Sequence, residues 1–474
     1  MLLTIDIGTS TFKSAIFDID GNILSSAFVP LSIKSEGVKH EAQPSLWLNA
    51  FEECCKKLIS PSLSLVSKKL PPSNLREVQA VIISGNGPSL VPVLYEGNGV
   101  PAENARLWLD RRAAGYQEEV TQVMGGFVDA CFFLPKILYI KNNEIKLYEK
   151  TKCFLGCPEY LAYALTGEAR TVFPCEGFDR WFWNDDVLSK LKLEKDKFPP
   201  FIRPGEPFGK ITSKNAELFG FKKNIPVISG GPDFFAALLG SGVTTPGQAC
   251  DRSGSSEGIN LCTCNKVNDK RLMSYGHPIK PYWNLSGIIN TTGKAIEWGC
   301  GILGLKNINE FFALAKESKP GCNGIIFHPY LAGERSPLWD ASLKASWRGF
   351  SLLSERRDAA NSILEGIGFA VRDVIAAMEE SGENPQQLHI TGKLSNCELL
   401  NQIKADITGI KTLVCVCKEA ELLGLAVIGA CSLDKYSSYA EASFAMVKIE
   451  KYYEPDLNNN GIYKSLFNEY KQNR

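Results

Sequence analysis

The sequence lacks an excess of charge of either sign, because 52 lysine and arginine residues balance 52 aspartate and glutamate residues in 474. Nothing therefore predicts the basic surface that binds nucleic acid or an anionic membrane. Long hydrophobic runs are also missing: stretches such as residues 80–83 fall far short of the roughly 20 that span a bilayer. The N-terminus has neither a basic leader nor a small-residue cleavage site. We expect a cytoplasmic protein without nucleic-acid or membrane partners.

Histidine is scarce, and the four histidines are scattered without the spacing of a nucleophilic or metal site. Cysteine is abundant, with 15 residues. The pairs Cys262/Cys264 and Cys415/Cys417 each put two thiols on one face of a predicted strand, yet no second pair or nearby histidine completes a tetrahedral metal site. We interpret the cysteines as small buried thiols in a reducing compartment.

The first thirteen residues carry the most informative pattern. An apolar strand at residues 2–5 runs into Asp6 and then into the small turn Gly8-Thr9-Ser10. Glycine permits tight turns, and hydroxyls beside exposed N–H groups suit phosphate oxygens. A strand pattern resumes after the turn, unlike a Walker loop, which opens a helix. By itself the pattern fits an ordinary hairpin equally well.

Two further segments repeat this arrangement of strand, small turn and polar side chain. The strand that begins at residue 225 ends in Gly230-Gly-Pro-Asp233 before a helix-like apolar run. The strand that begins at residue 249 leads into Gly254-Ser255-Ser256. Three such turns predict a site for a polyphosphate, with Asp6 as a carboxylate that holds Mg²⁺ directly or through water.

Several motifs follow one another along nearly the whole chain: Asp6-Ile-Gly-Thr-Ser10, Leu107-Trp-Leu-Asp110-Arg111, Leu165-Thr-Gly-Glu168, Gly230-Gly-Pro-Asp233, Pro329-Tyr-Leu-Ala-Gly-Glu334-Arg-Ser-Pro337, Leu364-Glu-Gly-Ile-Gly-Phe369 and Glu421-Leu-Leu-Gly-Leu-Ala426. In order and spacing they resemble the FGGY family of carbohydrate kinases, and within it most closely the xylulokinases. No single motif decides the matter, but their succession does.

The resemblance implies an α/β fold with two ribonuclease-H-like domains of the actin and hexokinase superfamily that flank a catalytic cleft. A turn at Pro246-Gly247 and a change of composition put the boundary near residue 243. Residues 1–243 would then bind the sugar and carry the first phosphate turn, and residues 244–474 would bind the nucleotide. We expect a C-terminal helix that packs back on the first domain. The resemblance also suggests a homodimer.

The implied activity is the transfer of the γ-phosphoryl group of ATP, with Mg²⁺, to a hydroxyl of a small sugar, polyol or sugar acid. Family members carry a general base at the position of Asp233. Here it stands between a strand and a helix, and a helix N-terminus stabilises a carboxylate in the ionised form that accepts a proton. The alternative is that Asp233 only caps its helix.

The expected phosphate and nucleotide contacts lie in the turns and after one later strand: Gly8, Thr9, Ser10, Gly254, Ser255, Ser256, Gly392, Lys393 and Asn396. Lys393 and Leu394 depart from the glycines and small residues usual in the family. Either Lys393 reaches the α-phosphate, or its side chain crowds the nucleotide. Glu334 and Glu365 match family positions too, and buried bracing explains them as well as direct contacts do.

The residues expected to bind the sugar differ most from the corresponding residues of xylulokinases. Gly87-Pro88 and Phe234 replace polar positions, and residues 171–176 replace a polar stretch. The side chains left for hydroxyl groups are Asn86, Asp110, Arg111, Glu159 and Arg180, with Asp110 the foremost candidate and Arg111 equally explained by a structural ion pair. A polyol site must pair its hydroxyls, so these losses predict a substrate other than xylulose.

Two other functions remain open at this point. One is a catalytically weak homologue that senses a sugar or a nucleotide, which the departures at Lys393, Gly87-Pro88 and Phe234 favour. The other is an actin-like ATPase without a sugar, against which the motif at residues 329–337 speaks.

Overall fold

The computed structural model describes residues 1–59, 74–95 and 102–473. The chain forms two compact units: Met1–Gly240 with Glu421–Met446, and Ser241–Ala420 with Val447–Arg474. The α/β class and the two-domain organisation expected from the sequence are confirmed. The sequence predicted a single boundary at residue 243, whereas the chain passes between the units at three points.

In chain order, the strands of the described residues are β1 (Leu2–Ile7), β2 (Thr11–Phe17), β3 (Ile23–Pro30), β4 (Lys34–Glu36), β5 (Lys39–Ala42), β6 (Ala80–Gly85), β7 (Val91–Leu94), β8 (Ala105–Arg106), β9 (Thr151–Leu155), β10 (Thr171–Val172), β11 (Phe201–Ile202), β12 (Pro207–Lys210), β13 (Pro226–Pro232), β14 (Gln248–Ser253), β15 (Glu257–Thr263), β16 (Met273–Gly276), β17 (Trp283–Ile289), β18 (Ile326–His328), β19 (Ser346–Arg348), β20 (Gln387–Thr391), β21 (Lys411–Cys415) and β22 (Ile449–Tyr453).

The α-helices of the same residues are α1 (Ser45–Ile59), α2 (Gln117–Met124), α3 (Phe133–Asn143), α4 (Ile145–Lys150), α5 (Cys157–Thr166), α6 (Asp185–Lys190), α7 (Ser213–Phe219), α8 (Asp233–Gly240), α9 (Gly293–Ile302), α10 (Ile308–Ala315), α11 (Arg356–Glu380), α12 (Glu398–Thr408), α13 (Ala420–Ser432), α14 (Tyr439–Met446) and α15 (Leu457–Gln472). None of them has the length and hydrophobicity that a bilayer-spanning helix needs, within the described part of the chain.

The main sheet of the first unit has the strand order β12-β13-β6-β1-β2-β3. β1 pairs antiparallel with β2 and parallel with β6, and β6 pairs parallel with β13. Ile7 lies opposite Gly85, and Gly85 lies opposite Pro232. Every residue of β1 and β6 is buried. Burial of both faces explains the continuous apolar run at residues 80–83 of β6, whereas β1 also carries the buried polar residues Thr4 and Asp6.

The main sheet of the second unit repeats this plan, with the order β16-β17-β15-β14-β20-β21-β22. β14 pairs antiparallel with β15 and parallel with β20, and β20 pairs parallel with β21. In each unit an antiparallel hairpin is thus joined to parallel strands. The hairpin turn is Gly8-Thr9-Ser10 in the first unit and Gly254-Ser255-Ser256 in the second. Both turns were predicted from the sequence.

The C-terminal helix α15 packs within the second unit, so the prediction that it packs on the first domain was wrong. The His328 Nε2 atom lies 3.0 Å from the Tyr470 carbonyl oxygen, and the Tyr330 and Tyr470 hydroxyls are 2.8 Å apart. Tyr463 and Tyr470 are almost fully buried. The helix was predicted from the sequence, but its packing partner was not.

Helix α13 belongs almost entirely to the first unit and approaches α8 closely. Gly424 lies inside α13, and a Cβ atom there would overlap with the Ala236 carbonyl oxygen. The glycine therefore permits the close approach of the two helix backbones.

We predict that Gly424→Ala destabilises the protein by about 1–3 kcal/mol, because the added methyl group has no space. Gly461→Ala is the matched control, since Gly461 also lies in a helix, with open space around its Cα atom. That change should be neutral or stabilise by up to about 1 kcal/mol. Urea unfolding followed by circular dichroism measures both, and equal effects would contradict the packing argument.

Candidate active site

Three predicted site residues meet at one edge of the sheet in the first unit. Asp6 is the penultimate residue of β1, Asn86 directly follows β6, and Asp233 directly follows β13. These strands are parallel neighbours, so their carboxyl ends share an edge, where ligands bind in α/β sheets. Asp6 is 6% exposed, whereas Asp233 is half-buried and starts α8.

The Asp233 side chain makes a local contact at the start of α8. Its Oδ1 atom accepts a hydrogen bond from the Phe234 N–H, with N and O 2.6 Å apart. This contact reaches only the next residue and not the N–H groups two or three residues on that an N-cap side chain binds, so the capping alternative stays a prediction. The contact occupies one carboxylate oxygen and does not conflict with a second role at the strand edge.

The turn Gly8-Thr9-Ser10 closes the hairpin of β1 and β2. The Gly8 N–H donates to the Thr11 carbonyl oxygen at 3.0 Å, and a Cβ at Gly8 would lie only 2.8 Å from that oxygen. The Trp108 indole N–H donates to the Thr9 hydroxyl oxygen at 2.9 Å. This contact joins two motifs that are about a hundred residues apart in the sequence.

Asp110 is fully buried and bound to the protein itself. The Arg112 Nε and Nη2 atoms donate to its two oxygens at 3.0 and 2.7 Å, and the His40 N–H donates at 2.9 Å. Burial alone would raise the pKa of Asp110, but these hydrogen bonds outweigh burial and lower it. Arg111 is instead 47% exposed in its side chain and forms an ion pair with Asp129.

Sequence reasoning chose Arg111 and missed Arg112. Arg112 also donates to Glu41 at 2.6 Å, and its side chain is 6% exposed. A buried aspartate needs a buried cation, and the next arginine along the chain was the available signal. The geometry gives Asp110 a bracing role in the loop that carries Trp108.

Asn86 holds the ends of β1 and β6 together. Its backbone N–H and its Nδ2 atom both donate to the Ile7 carbonyl oxygen, at 2.8 and 2.9 Å, and its Oδ1 accepts from the Ser89 hydroxyl at 2.6 Å. Gly87 is exposed and Pro88 half-buried. The departure from xylulokinases at Gly87-Pro88 thus lies beside the strand edge.

Glu159 lies in the first turn of α5 and is 6% exposed. Its Oε1 accepts from the Val172 N–H at 3.3 Å. Burial raises the pKa of Glu159 to about 7. Nothing is described for the side chain of Arg180, so that candidate lies outside the described part of the structure.

Phe234 belongs to a column of aromatic rings. Its ring stacks on Phe178 with centroids 6.1 Å apart and planes 10° from parallel. Phe178 meets Trp181 edge-on at 4.8 Å, and Trp181 stacks on Phe132 at 5.0 Å and 7°. All four rings are half-buried. The residue that follows the candidate base therefore continues into an apolar wall.

In the second unit the predicted nucleotide residues also meet at one strand edge. The Thr292 and Gly293 N–H groups donate to the Ser255 and Gly254 carbonyl oxygens at 3.0 and 2.9 Å, which fixes the turn Gly254-Ser255-Ser256 against the start of α9. Ser255 and Ser256 are exposed. Gly392 has a φ of +82°, and a Cβ there would lie 2.6 Å from the Ser253 carbonyl oxygen. A glycine is therefore required beside the turn.

Lys393 and Leu394, the two residues that depart from the family pattern, differ in their exposure. Lys393 is exposed, while Leu394 is 8% exposed and packs in the core of the unit. Leu394 is thus accounted for by the core. Asn396 is exposed, and its Nδ2 donates to the Lys393 carbonyl oxygen at 3.3 Å.

A buried charged cluster beneath this turn was not found from the sequence. The Lys404 ammonium donates to Asp251 at 2.7 Å, to Ser253 at 2.9 Å and to Glu257. The charged side chains are 0% exposed. Burial, together with the neighbouring Glu257, raises the pKa of Asp251 and favours its protonated form. The signal in the sequence was a lysine directly after Ile403 on the buried face of α12.

The two glutamates left open by the sequence act as braces. Glu334 accepts from the Asn290 and Arg335 N–H groups, both at 2.8 Å. Glu365, on α11, accepts from the Gly321 N–H and from the Tyr463 hydroxyl of α15, both at 2.9 Å. Burial raises the pKa of both carboxyl groups to about 7.

Within the described residues, no group of three or more histidine, cysteine, aspartate or glutamate side chains is arranged to hold a metal ion. This leaves room for Mg²⁺ chemistry, because Mg²⁺ in phosphoryl-transfer sites keeps several waters and needs only one or two carboxylates besides the substrate phosphates. Asp6 fits that requirement by its place at the strand edge.

Comparison with known proteins decides the family. Residues 1–240 match the N-terminal domain of the FGGY family of carbohydrate kinases, and residues 252–433 match its C-terminal domain. The chain belongs to the FGGY family. It is therefore a sugar kinase, and kinases of this family take the phosphoryl group from ATP.

Among FGGY kinases the chain is similar to xylulose kinases. The xylulose kinase of Staphylococcus epidermidis is 26% identical over 99% of this chain and 96% of its own. Two solved structures from Lactobacillus acidophilus share the fold at 20% identity and a TM-score of 0.84. The gluconate kinase matches over 99% of this chain and 96% of its own, and the xylulose kinase over 100% and 97%.

We predict that the stability of the protein depends on pH through Glu365. The carboxyl group titrates near 4.5 in the unfolded chain and near 7 in the folded protein. Folding therefore favours the protonated form, and stability falls as the pH rises from about 4.5 to about 7. Glu365→Gln removes this loss, which is on the order of 3 kcal/mol.

Urea unfolding at pH 5 and pH 8 measures the effect. The free energy of unfolding of Glu365→Gln minus that of the unmodified protein should be larger at pH 8 than at pH 5. Glu398→Gln serves as the exposed control. A difference between Glu365→Gln and the unmodified protein that is equal at both pH values would contradict the prediction.

Proposed function

We propose that this FGGY kinase transfers the γ-phosphoryl group of ATP to a hydroxyl of a small sugar, polyol or sugar acid, with Mg²⁺ and with Asp233 as the general base. The observation that carries the proposal is the meeting of Asp6, Asn86 and Asp233 at the carboxyl ends of three parallel strands. The hydroxyl-bearing turn Gly8-Thr9-Ser10 starts at the same edge.

In the proposed reaction the acceptor hydroxyl gives its proton to the Asp233 carboxylate. The acceptor oxygen forms a bond to the γ-phosphorus while the bond from that phosphorus to the bridging oxygen breaks, which leaves ADP. Such a reaction requires alignment and charge neutralisation more than covalent catalysis. Mg²⁺, held by Asp6 directly or through water, would supply part of that neutralisation.

The nucleotide would bind to the second unit. The exposed Ser255 and Ser256 and the glycine at 392 form a small-residue surface that suits phosphate oxygens. Lys393, which is exposed, would meet the α-phosphate, since an exposed ammonium on a flexible stem is an effective partner for an anion. The small turn Gly8-Thr9-Ser10 would meet the terminal phosphate.

The substrate class follows from the apolar wall. Phe234 and the rings behind it offer flat apolar faces, so the acceptor should turn carbon–hydrogen groups toward them and its hydroxyls or a carboxylate elsewhere. Relatives named xylulose kinase and gluconate kinase make pentuloses and aldonates the first compounds to test.

A coupled ADP-release screen of pentuloses, hexuloses, tetritols, pentitols and aldonates tests the function. Asp233→Ala is its control and should lower kcat by about 10²–10⁴ while calorimetry shows ATP binding unchanged. Near-normal turnover in that variant would remove Asp233 from the mechanism. No turnover with any compound would favour the sensor alternative, which the proposed base at residue 233 speaks against.

We predict that D-xylulose is a poor acceptor. A hydroxyl that loses water at the Phe234 wall without a partner costs on the order of 1–3 kcal/mol, or about ten- to hundredfold in kcat/KM. Phe234→Asn should raise kcat/KM for D-xylulose relative to the best acceptor, and Phe234→Leu, which stays apolar, should not. A kcat/KM of about 10⁴ M⁻¹s⁻¹ or more for D-xylulose with the unmodified protein would refute the prediction.

A further inference from the structure

Lys136, a buried cation of the first unit, has no part in the chemistry proposed above. It lies on α3 and is 1% exposed. Its ammonium donates to the carbonyl oxygens of Pro88 at 2.8 Å, Leu107 at 2.7 Å and Arg106 at 3.3 Å. Pro88 belongs to the loop between β6 and β7, and the other two carbonyls belong to the end of β8 and the segment after it. One side chain thus joins two separate loops.

Both loops carry groups of the candidate site next to the anchored carbonyls. Asn86, at the strand edge, lies two residues before Pro88. Trp108 directly follows Leu107 and donates to the hydroxyl of Thr9 in the phosphate turn. A displacement of the first loop would therefore move Asn86 at the strand edge beside Asp233. A displacement of the second would move Trp108, which contacts the turn that the proposed function places at the terminal phosphate.

The hydrogen-bonding capacity of Lys136 matches its surroundings only in the charged form. An ammonium has three N–H donors, one for each carbonyl, whereas a neutral amine has two. The ionisable groups facing it are Cys131, Asp110, Arg111 and Asp129, and burial lowers the pKa of Lys136 to about 7. The third donor is thus lost within the physiological pH range.

We propose that Lys136 is a positioning residue for the acceptor. Its ammonium holds residues 86–89 and 107–112 in the arrangement that receives the sugar. The inference rests on the proposed function for its link to the acceptor. The anchoring itself is a property of the loops and is measurable without turnover.

Hydrogen exchange followed by mass spectrometry tests the anchoring. In Lys136→Met, peptides that cover residues 86–90 and 105–112 should exchange about tenfold faster or more, because their N–H groups depend on the anchored loops. The matched control is Lys197→Met. Lys197 is also buried, at 3% exposed, and donates to the Thr151 carbonyl oxygen at 2.7 Å.

Faster exchange in those peptides for Lys136→Met alone supports the inference. Unchanged exchange, or an equal increase in both variants, overturns it. The result does not depend on any acceptor, so it stands even where the substrate screen finds none and the proposed function fails.

Kinetics with the best acceptor of the screen test the link to function. Lys136→Met should raise the KM for the acceptor about tenfold or more and leave the KM for ATP within about twofold, whereas Lys197→Met should change neither. In the unmodified protein the acceptor KM should rise between pH 6 and pH 8.5, and this rise should be absent in Lys136→Met. An acceptor KM within about twofold of normal in Lys136→Met overturns the inference.

Calorimetry on the unmodified protein replaces these variants where Lys136→Met does not fold. Linkage requires that an acceptor favoured by the charged lysine causes proton uptake when it binds. Titration of the best acceptor at pH 7.5, in two buffers of different ionisation enthalpy, measures that uptake. Its presence supports the inference, and its absence overturns it.

Discussion

The parallel pairing of β1, β6 and β13 is the constraint on which the candidate site depends. A slip of one residue in either pairing would turn each side chain to the other face of the sheet and separate the strand ends. Complete burial of β1 and β6 prevents such a slip, because both faces are packed. Gly85 tightens this register: a Cβ there would lie 2.9 Å from the Ile7 side chain and 3.1 Å from the Cys157 sulfur.

Buried charges fix the loops that the sheet alone leaves undefined. A lysine without water is costly unless every donor is paired, so its partners are held in one arrangement. Lys136 does this for two loops of the first unit through carbonyl oxygens. Lys404 does it for the turn Gly254-Ser255-Ser256 of the second unit through Asp251, Glu257 and Ser253. The two units therefore use different chemistry, carbonyls in one and carboxylates in the other, for the same mechanical purpose.

The sequence predicted well what depends on local pattern. At Asp6 and at Gly254 a strand, a small turn and polar residues follow one another within about ten residues. Both turns lie at the end of a strand, as predicted. Prediction failed where a contact joins distant segments. The assignment of Glu421–Met446 to the first unit and the packing of α15 on the second are decided by which surfaces meet, and hydrophobic periodicity does not encode that choice. The pairing of Asp110 with Arg112 is a different case: the two residues are close in the sequence, but the sequence does not show which of two adjacent arginines is buried.

The side chains expected to bind the sugar are largely bound to the protein itself. Asp110 is paired with Arg112 and the His40 N–H, and Asn86 with Ile7 and Ser89. A site built to hydrogen-bond a particular hydroxyl rejects analogues that lack it by about 10⁴–10⁵, whereas an apolar wall discriminates against an added hydroxyl by only about 10². If Phe234, which stacks on Phe178, forms the wall of the acceptor site as proposed, the site is of the second kind. Selection among acceptors should therefore follow shape and the position of an apolar face, and several related sugars should be accepted with graded efficiency.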